Sequence, residues 1–156
     1  MMCEEKMSVE KVPRYLQPYE WAKREWSSGI KELAGASHNP RIVWYHSLTT
    51  LHATDDETPW CSAFMCAAAF SAAFKSTRSA AARSWIDYGV AGNGSIGDIV
   101  IFKRGSSPTA GHVAFIHKTY CVSDKLICVL GGNQGNAVSV ANYKAEDILA
   151  IRRFPS

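Results

Sequence analysis

No C-x-x-C pair occurs in this chain, and its cysteines are odd in number: Cys3, Cys61, Cys66, Cys121 and Cys128. That argues against a zinc ribbon and against a self-contained disulfide framework. Reduced thiols are the expectation. Cys121 and Cys128 flank a hairpin turn at residues 123–125 and could in principle bridge across it, but two core thiols are expected there. Long apolar runs are missing too, since nothing reaches the roughly 20 residues of a membrane span and the Ala-rich stretch stops at Lys75. No stable membrane insertion is expected. The first residues show no basic start, apolar segment or small-residue cleavage site, so synthesis in the cytoplasm without a signal peptide is expected. Charge of one sign is also scarce: 17 Lys and Arg oppose 14 Asp and Glu, for a net +3. The basic residues are scattered, which excludes a nucleic-acid footprint but would ease approach to an anionic surface. His38, His46 and His52 lack the tight spacing of zinc ligands, and the adjacent acids Asp55, Asp56 and Glu57 lack the spacing of a calcium loop. No metal and no cofactor is expected.

What is present suits one domain. At 156 residues and 47% hydrophobic, the chain can bury a single core. Residues 1–17 are polar and mixed in charge and read as a flexible or loosely docked arm, leaving 18–156 as the domain. Pro18 opens a helix on which Trp21, Ala22, Glu25, Trp26, Ile30 and Leu33 recur at helical spacing, and an aromatic stripe of that kind is expected in the core. Residues 41–46 are apolar and fit either helix or strand. From Gly97 the period becomes strand-like, with candidate strands at 98–103, 112–119, 125–130, 137–141 and 148–154. Helices first and strands afterwards predict an α+β fold with an antiparallel sheet.

Chemistry concentrates in three stretches. In the first, Thr58 is a plausible N-cap and Pro59 suits the first helical position, so Cys61 falls in the first turn of a helix running to about Phe74. Free N–H groups and the macrodipole there favour a thiolate. Cys66, five residues on, points away and is expected to be packing. The second stretch, Gly111-His112-Val113-Ala114, begins a strand with an imidazole; His117 is a rival base, but strand alternation sends it to the opposite side. The third, Gly131-Gly132-Asn133-Gln134, ends a strand in polar amides. Nucleophile, base and orienting amide are the parts that thiol hydrolysis needs.

Taken together, Trp60-Cys61-Ser62-Ala63-Phe64, Ala82-Arg83-Ser84-Trp85, Gly97-Asp98-Ile99-Val100, Gly111-His112-Val113-Ala114 and Gly131-Gly132-Asn133-Gln134 resemble the NlpC/P60 and CHAP superfamily. These are papain-like cysteine peptidases and amidases that cut bacterial peptidoglycan. The likeness is greatest to a small phage and prophage branch of endolysin type, and it runs over roughly residues 18–155. It implies a papain-like fold, with N-terminal helices on an antiparallel sheet of about five strands, and a short helix at 41–46. It also implies cleavage of an amide bond in the peptide part of the cell wall through a thioacyl intermediate.

By the same resemblance Cys61 would be the nucleophile, His112 the base and Asn133 the residue that orients the ring, with Gln134 as the alternative should the strand register differ by one. Trp60 and Tyr45 are expected along the cleft, with Gln134 beside them. Asp56 and Glu57 either complement the helix N-terminus or meet a cationic group of the substrate. In either case these acids would oppose thiolate formation at Cys61. Arg83 and Trp85 form a structural staple or part of the cleft wall. The partner would be bacterial peptidoglycan, met by a monomer after release from the cytoplasm, with a holin needed for lysis. Two alternatives stay open: an injected antibacterial amidase paired with an immunity protein, and a papain-like isopeptidase or acyltransferase acting on protein.

Overall fold

The computed structural model describes residues 12–35, 37–118 and 125–156. Cys3 and Cys121 lie outside these residues, as does most of the proposed arm. Three helices precede the sheet: α1 (Gln17–Ser27), α2 (Pro40–Ser47) and α3 (Cys61–Ser71). Six strands follow: β1 (Val90–Ala91), β2 (Ile99–Lys103), β3 (Gly111–Lys118), β4 (Leu126–Gly131), β5 (Ser139–Lys144) and β6 (Ile148–Arg153). They form one antiparallel sheet in the order β1-β6-β2-β3-β4-β5. The fold is α+β as expected, with one strand more than the five foreseen. The extra strand, β1, has two exposed residues and no apolar alternation to betray it.

Helices lie on one face of the sheet. There Ile99, Ile101, Val113, Phe115 and Leu130 meet Phe64, Ala67, Ala68 and the aromatic residues Trp21, Tyr45 and Trp60. On the other face Val100, Phe102, Ala114, Ile116 and Val129 form a smaller cluster. This alternation is the period of two that a sheet covered on both sides requires. α3 is buried almost all round, since nine of its eleven residues, Cys61 through Ala69, are out of solvent. Its small alanines let it sit close to β3 and β4.

Several boundaries differ from expectation: α1 ends at Ser27, before the Ile30 and Leu33 expected on it, and β5 lies at Ser139–Lys144 rather than at 137–141. Residues 14–16 make a 3₁₀ turn just before α1, and the Arg14 guanidinium donates to the Ala72 and Ala73 carbonyls while lying over the Phe74 ring, so this part of the arm is docked. Thr58 does not cap α3: its backbone N–H and hydroxyl both donate to Asp55, and Trp60 is the N-cap. The Asp55 carboxylate closes a tight turn there by accepting both Thr58 donors, and the helix begins later, with the Phe64 N–H donating to the Trp60 carbonyl. No helix among the described residues is long and apolar enough to cross a membrane.

Candidate active site

The site lies where the sheet splits. Pairing of β3 with β4 ends at Phe115 and Leu130, so the first residues of β3 have no partner on that side. The N-terminus of α3 enters the gap. Gly132 makes this possible, because a Cβ there would stand 2.6 Å from the Phe64 Cβ and 2.8 Å from the Trp60 ring. Cys61, the first residue of α3, is 7% exposed and lines a cleft of about 290 Å³ together with Pro59, Arg104, Thr109, Gly111 and Asn133.

Opposing influences act on the thiol. Burial pushes its pKa up, while the backbone N–H groups of Val113, Ser62 and Cys61 and the positive charge of Arg104 pull it down; burial wins. Asp55, Asp56 and Glu57 are not among the leading influences on the thiol. Contact with the Val113 N–H places the sulfur beside the start of β3, one residue along the chain from His112.

His112 has no exposed surface. Its ring stacks on Tyr143, with centroids 4.8 Å apart and planes 13° from parallel, and Phe102 stacks at 6.4 Å. Nε2 is 2.8 Å from the Gln134 Oε1. The orientation of that amide is fixed by its other end, where Nε2 of Gln134 donates to the Ser139 carbonyl at 2.6 Å and to the Val129 carbonyl at 3.4 Å. Oε1 must therefore accept, so His112 carries its proton on Nε2 and leaves Nδ1 as a bare lone pair. Nδ1 is buried and has no hydrogen-bond partner, the thiol included. Burial, helped by Arg104 and opposed by Gln134, pushes the imidazole pKa down to about 4. Thiol and ring thus rest as a neutral pair.

Several expectations need correction. The ring is held by Gln134 rather than Asn133. Asn133 has φ +58°, in the left-handed region, which turns its side chain into the cleft and lets the next residue face the ring. Gly131 makes room for that amide, since a Cβ there would lie 2.7 Å from Gln134 Oε1. Trp60, Tyr45, Trp85 and Asp56 have no exposed surface and cannot meet a substrate. Each has its own partner: Trp60 donates to Glu32, Tyr45 to Glu25 and Trp85 to the Ser62 hydroxyl. Asp56 accepts from the Leu33 and Asn39 backbone N–H groups, which with His38 hold its carboxyl below the usual range. Glu57 is exposed but outside the cleft lining. His117 bonds to the Tyr19 hydroxyl and meets Trp26 edge-on, on the helical face and away from His112.

Sequence reasoning missed Arg104 and Tyr143, whose proximity to the site depends on the pairing of distant strands. It also undervalued Arg83, which donates to the Ala110 and Ser107 carbonyls and braces the 104–110 segment that walls the cleft. No group of three or more His, Cys, Asp or Glu side chains able to hold a metal ion occurs among the described residues. The arrangement can deprotonate a thiol at the ring Nδ1 and hold an oxyanion at the helix N-terminus.

A family model of the CHAP domain matches residues 53–133, just over half of the chain and the span that runs from before α3 to the turn after β4. No curated protein and no solved structure matches the chain.

Proposed function

The chain belongs to the CHAP domain family, and from that premise we propose that it is a peptidoglycan hydrolase cutting an amide bond in the peptide part of the bacterial cell wall. CHAP domains are typically cysteine- and histidine-dependent amidohydrolases or peptidases. The observation that carries the assignment of roles is the arrangement of His112, with Nε2 committed to Gln134 and Nδ1 buried and bare, on the strand whose Val113 N–H reaches the Cys61 sulfur. Nδ1 takes the Cys61 proton as Sγ attacks the scissile carbonyl carbon. Charge that develops on the carbonyl oxygen is met by the Cys61 backbone N–H, which has no partner within the helix because the first intrahelical bond runs from Phe64 to Trp60. Collapse of the adduct expels the amine, which receives the proton back from His112. Water then cleaves the thioacyl group, with the ring acting again as base. Gln134 keeps the imidazole in register throughout.

Endolysin-type action on peptidoglycan fits the modest positive charge of the chain. The test is incubation of purified sacculi with the full chain, followed by mass spectrometry of the released fragments. Soluble fragments with a new amine and carboxylate at one peptide or muramoyl–peptide bond are expected, and intact sacculi beside a cleaved protein substrate would replace this reading with a protein-directed one.

A further inference from the structure

We propose that Arg104 makes the cleft a carboxylate-recognising site, so that the preferred substrate carries a free carboxylate close to the scissile amide. This deepens the hydrolase reading and rests on it. One of the two readings of Asp56 and Glu57 from sequence implied the opposite charge preference, with these acids meeting a cationic group instead of complementing the helix N-terminus. The structure removes Asp56 to the interior and leaves Glu57 outside the cleft. Arg104 is then the single charged residue among those lining the cleft that holds Cys61.

Three observations make the guanidinium suited to binding rather than to structure. It is exposed, and among the described residues it forms no ion pair. Its Nε is anchored at 3.3 Å to the Gly111 carbonyl, which leaves Nη1 and Nη2 for a planar, two-oxygen acceptor. Finally, it lines the same cleft as Cys61, and its charge reaches Cys61, His112 and Tyr143, so a group held by it shares that cleft with the reacting carbonyl. The loop beneath is stiffened by Arg83, through Ser107 and Ala110. Asn133 and Thr109 supply neutral donors on the same walls. No acidic side chain lines the cleft to oppose an anion.

The experiment uses two muropeptide fragments identical except that one bears a free carboxylate beside the scissile amide and the other the carboxamide. Wild-type protein should cleave the acid with kcat/KM about 10- to 100-fold above the amide, the range expected for a charge-assisted hydrogen bond. In Arg104→Ala and Arg104→Gln that ratio should fall to near one, and Arg104→Lys should keep part of it. Equal cleavage by the wild type, or a ratio unchanged in Arg104→Ala, overturns the proposal. Calorimetry of both fragments on full-length Cys61→Ala separates the two readings. Tighter binding of the acid without wild-type turnover retains the carboxylate site and sinks hydrolysis, whereas equal binding beside normal turnover does the reverse.

Discussion

Glu25 and Asp56 on the helical side of the molecule and His112 at the split end of the sheet are all polar side chains taken out of water, yet their valences are filled differently. Glu25 accepts from Arg41 Nε at 2.7 Å, from its Nη2 at 3.1 Å and from the Tyr45 hydroxyl at 2.7 Å. Asp56 accepts two backbone N–H groups at 2.8 Å. His112 is satisfied at Nε2 and bare at Nδ1. A saturated buried group holds structure together, because all of its desolvation is offset by bonds. An open valence on the strand that also meets the Cys61 sulfur is a candidate base. His46 shows that openness alone is insufficient: its ring nitrogens are also buried without a close partner, and no side-chain amide orients the ring as Gln134 orients His112.

The largest test of that contrast removes the reactive pair. Cys61→Ala and His112→Ala should each lower turnover on sacculi by at least about 10³-fold, as loss of a nucleophile or its base does elsewhere. Both should still show the wild-type far-ultraviolet circular dichroism. Turnover above about a hundredth of wild type in either variant would break the assignment, given the size of effect expected. His46→Asn, by contrast, should leave turnover per folded molecule near wild type.

Next in size is acid destabilisation. The folded-state pKa of His112, about 4, lies below the roughly 6.5 of an unfolded histidine, so the unfolded chain takes a proton that the native one refuses. Stability from this group is therefore complete above pH 6.5 and is lost as pH falls towards 4. At 1.36 kcal/mol per pKa unit, the loss is roughly 3 kcal/mol. Asp56 is depressed, so its contribution persists to lower pH and disappears only as pH falls below the ordinary carboxylate range. Urea unfolding at pH 7 and pH 4.5 should show the His112 loss in the wild type and a smaller one in His112→Gln. Equal slopes in the two proteins would remove the buried neutral ring from the account.

Breaking the saturated side should affect stability and leave chemistry alone. Glu25→Ala strands the buried Tyr45 hydroxyl and frees Arg41, and is expected to cost about 2 to 3 kcal/mol in urea unfolding, discounted for the half-exposed arginine. Turnover normalised to folded protein should not change. A fall in normalised turnover would mean that the two regions are coupled.

Much of the fold was legible because it depends on local pattern. Strands β2 to β6 follow short strand-like runs bounded by Gly, Ser, Pro and Asn turns, and Cys61 and His112 stand in motifs at a helix start and a strand start. Burial of Trp60, Tyr45 and Trp85 was not legible, since a large aromatic residue near a nucleophile reads equally as wall or core until the packing of α1, α2 and α3 is known. Asp56 illustrates the same limit: its acceptors are used by Leu33 and Asn39, whose approach no local pattern announces. The offset of α3 goes with a turn at Thr58, whose N–H and hydroxyl are both held by the Asp55 carboxylate, so that Trp60 becomes the N-cap. At the strand end, alternation predicted which amide would face the ring only if the backbone stayed extended, and a left-handed residue at 133 broke that assumption.

That left-handed turn supports the smallest and most discriminating prediction. Gln134→Ala removes the acceptor that fixes the proton on Nε2, letting the other tautomer place it on Nδ1, where the base must be bare. A loss on the order of 30-fold in kcat/KM, or ~2 kcal/mol, is expected from a positioning group of this kind. Because the Gln134 bond raises the ring pKa, its removal should also move the acid limb of the pH profile lower, a change that simple loosening of the fold would not produce. Asn133→Ala changes only a cleft wall and should cost less than about threefold, a surface-level effect. If Asn133→Ala proved the more damaging of the two, the ring would have to turn towards Asn133 during turnover, and the resting hydrogen bond to Gln134 would belong to an inactive arrangement.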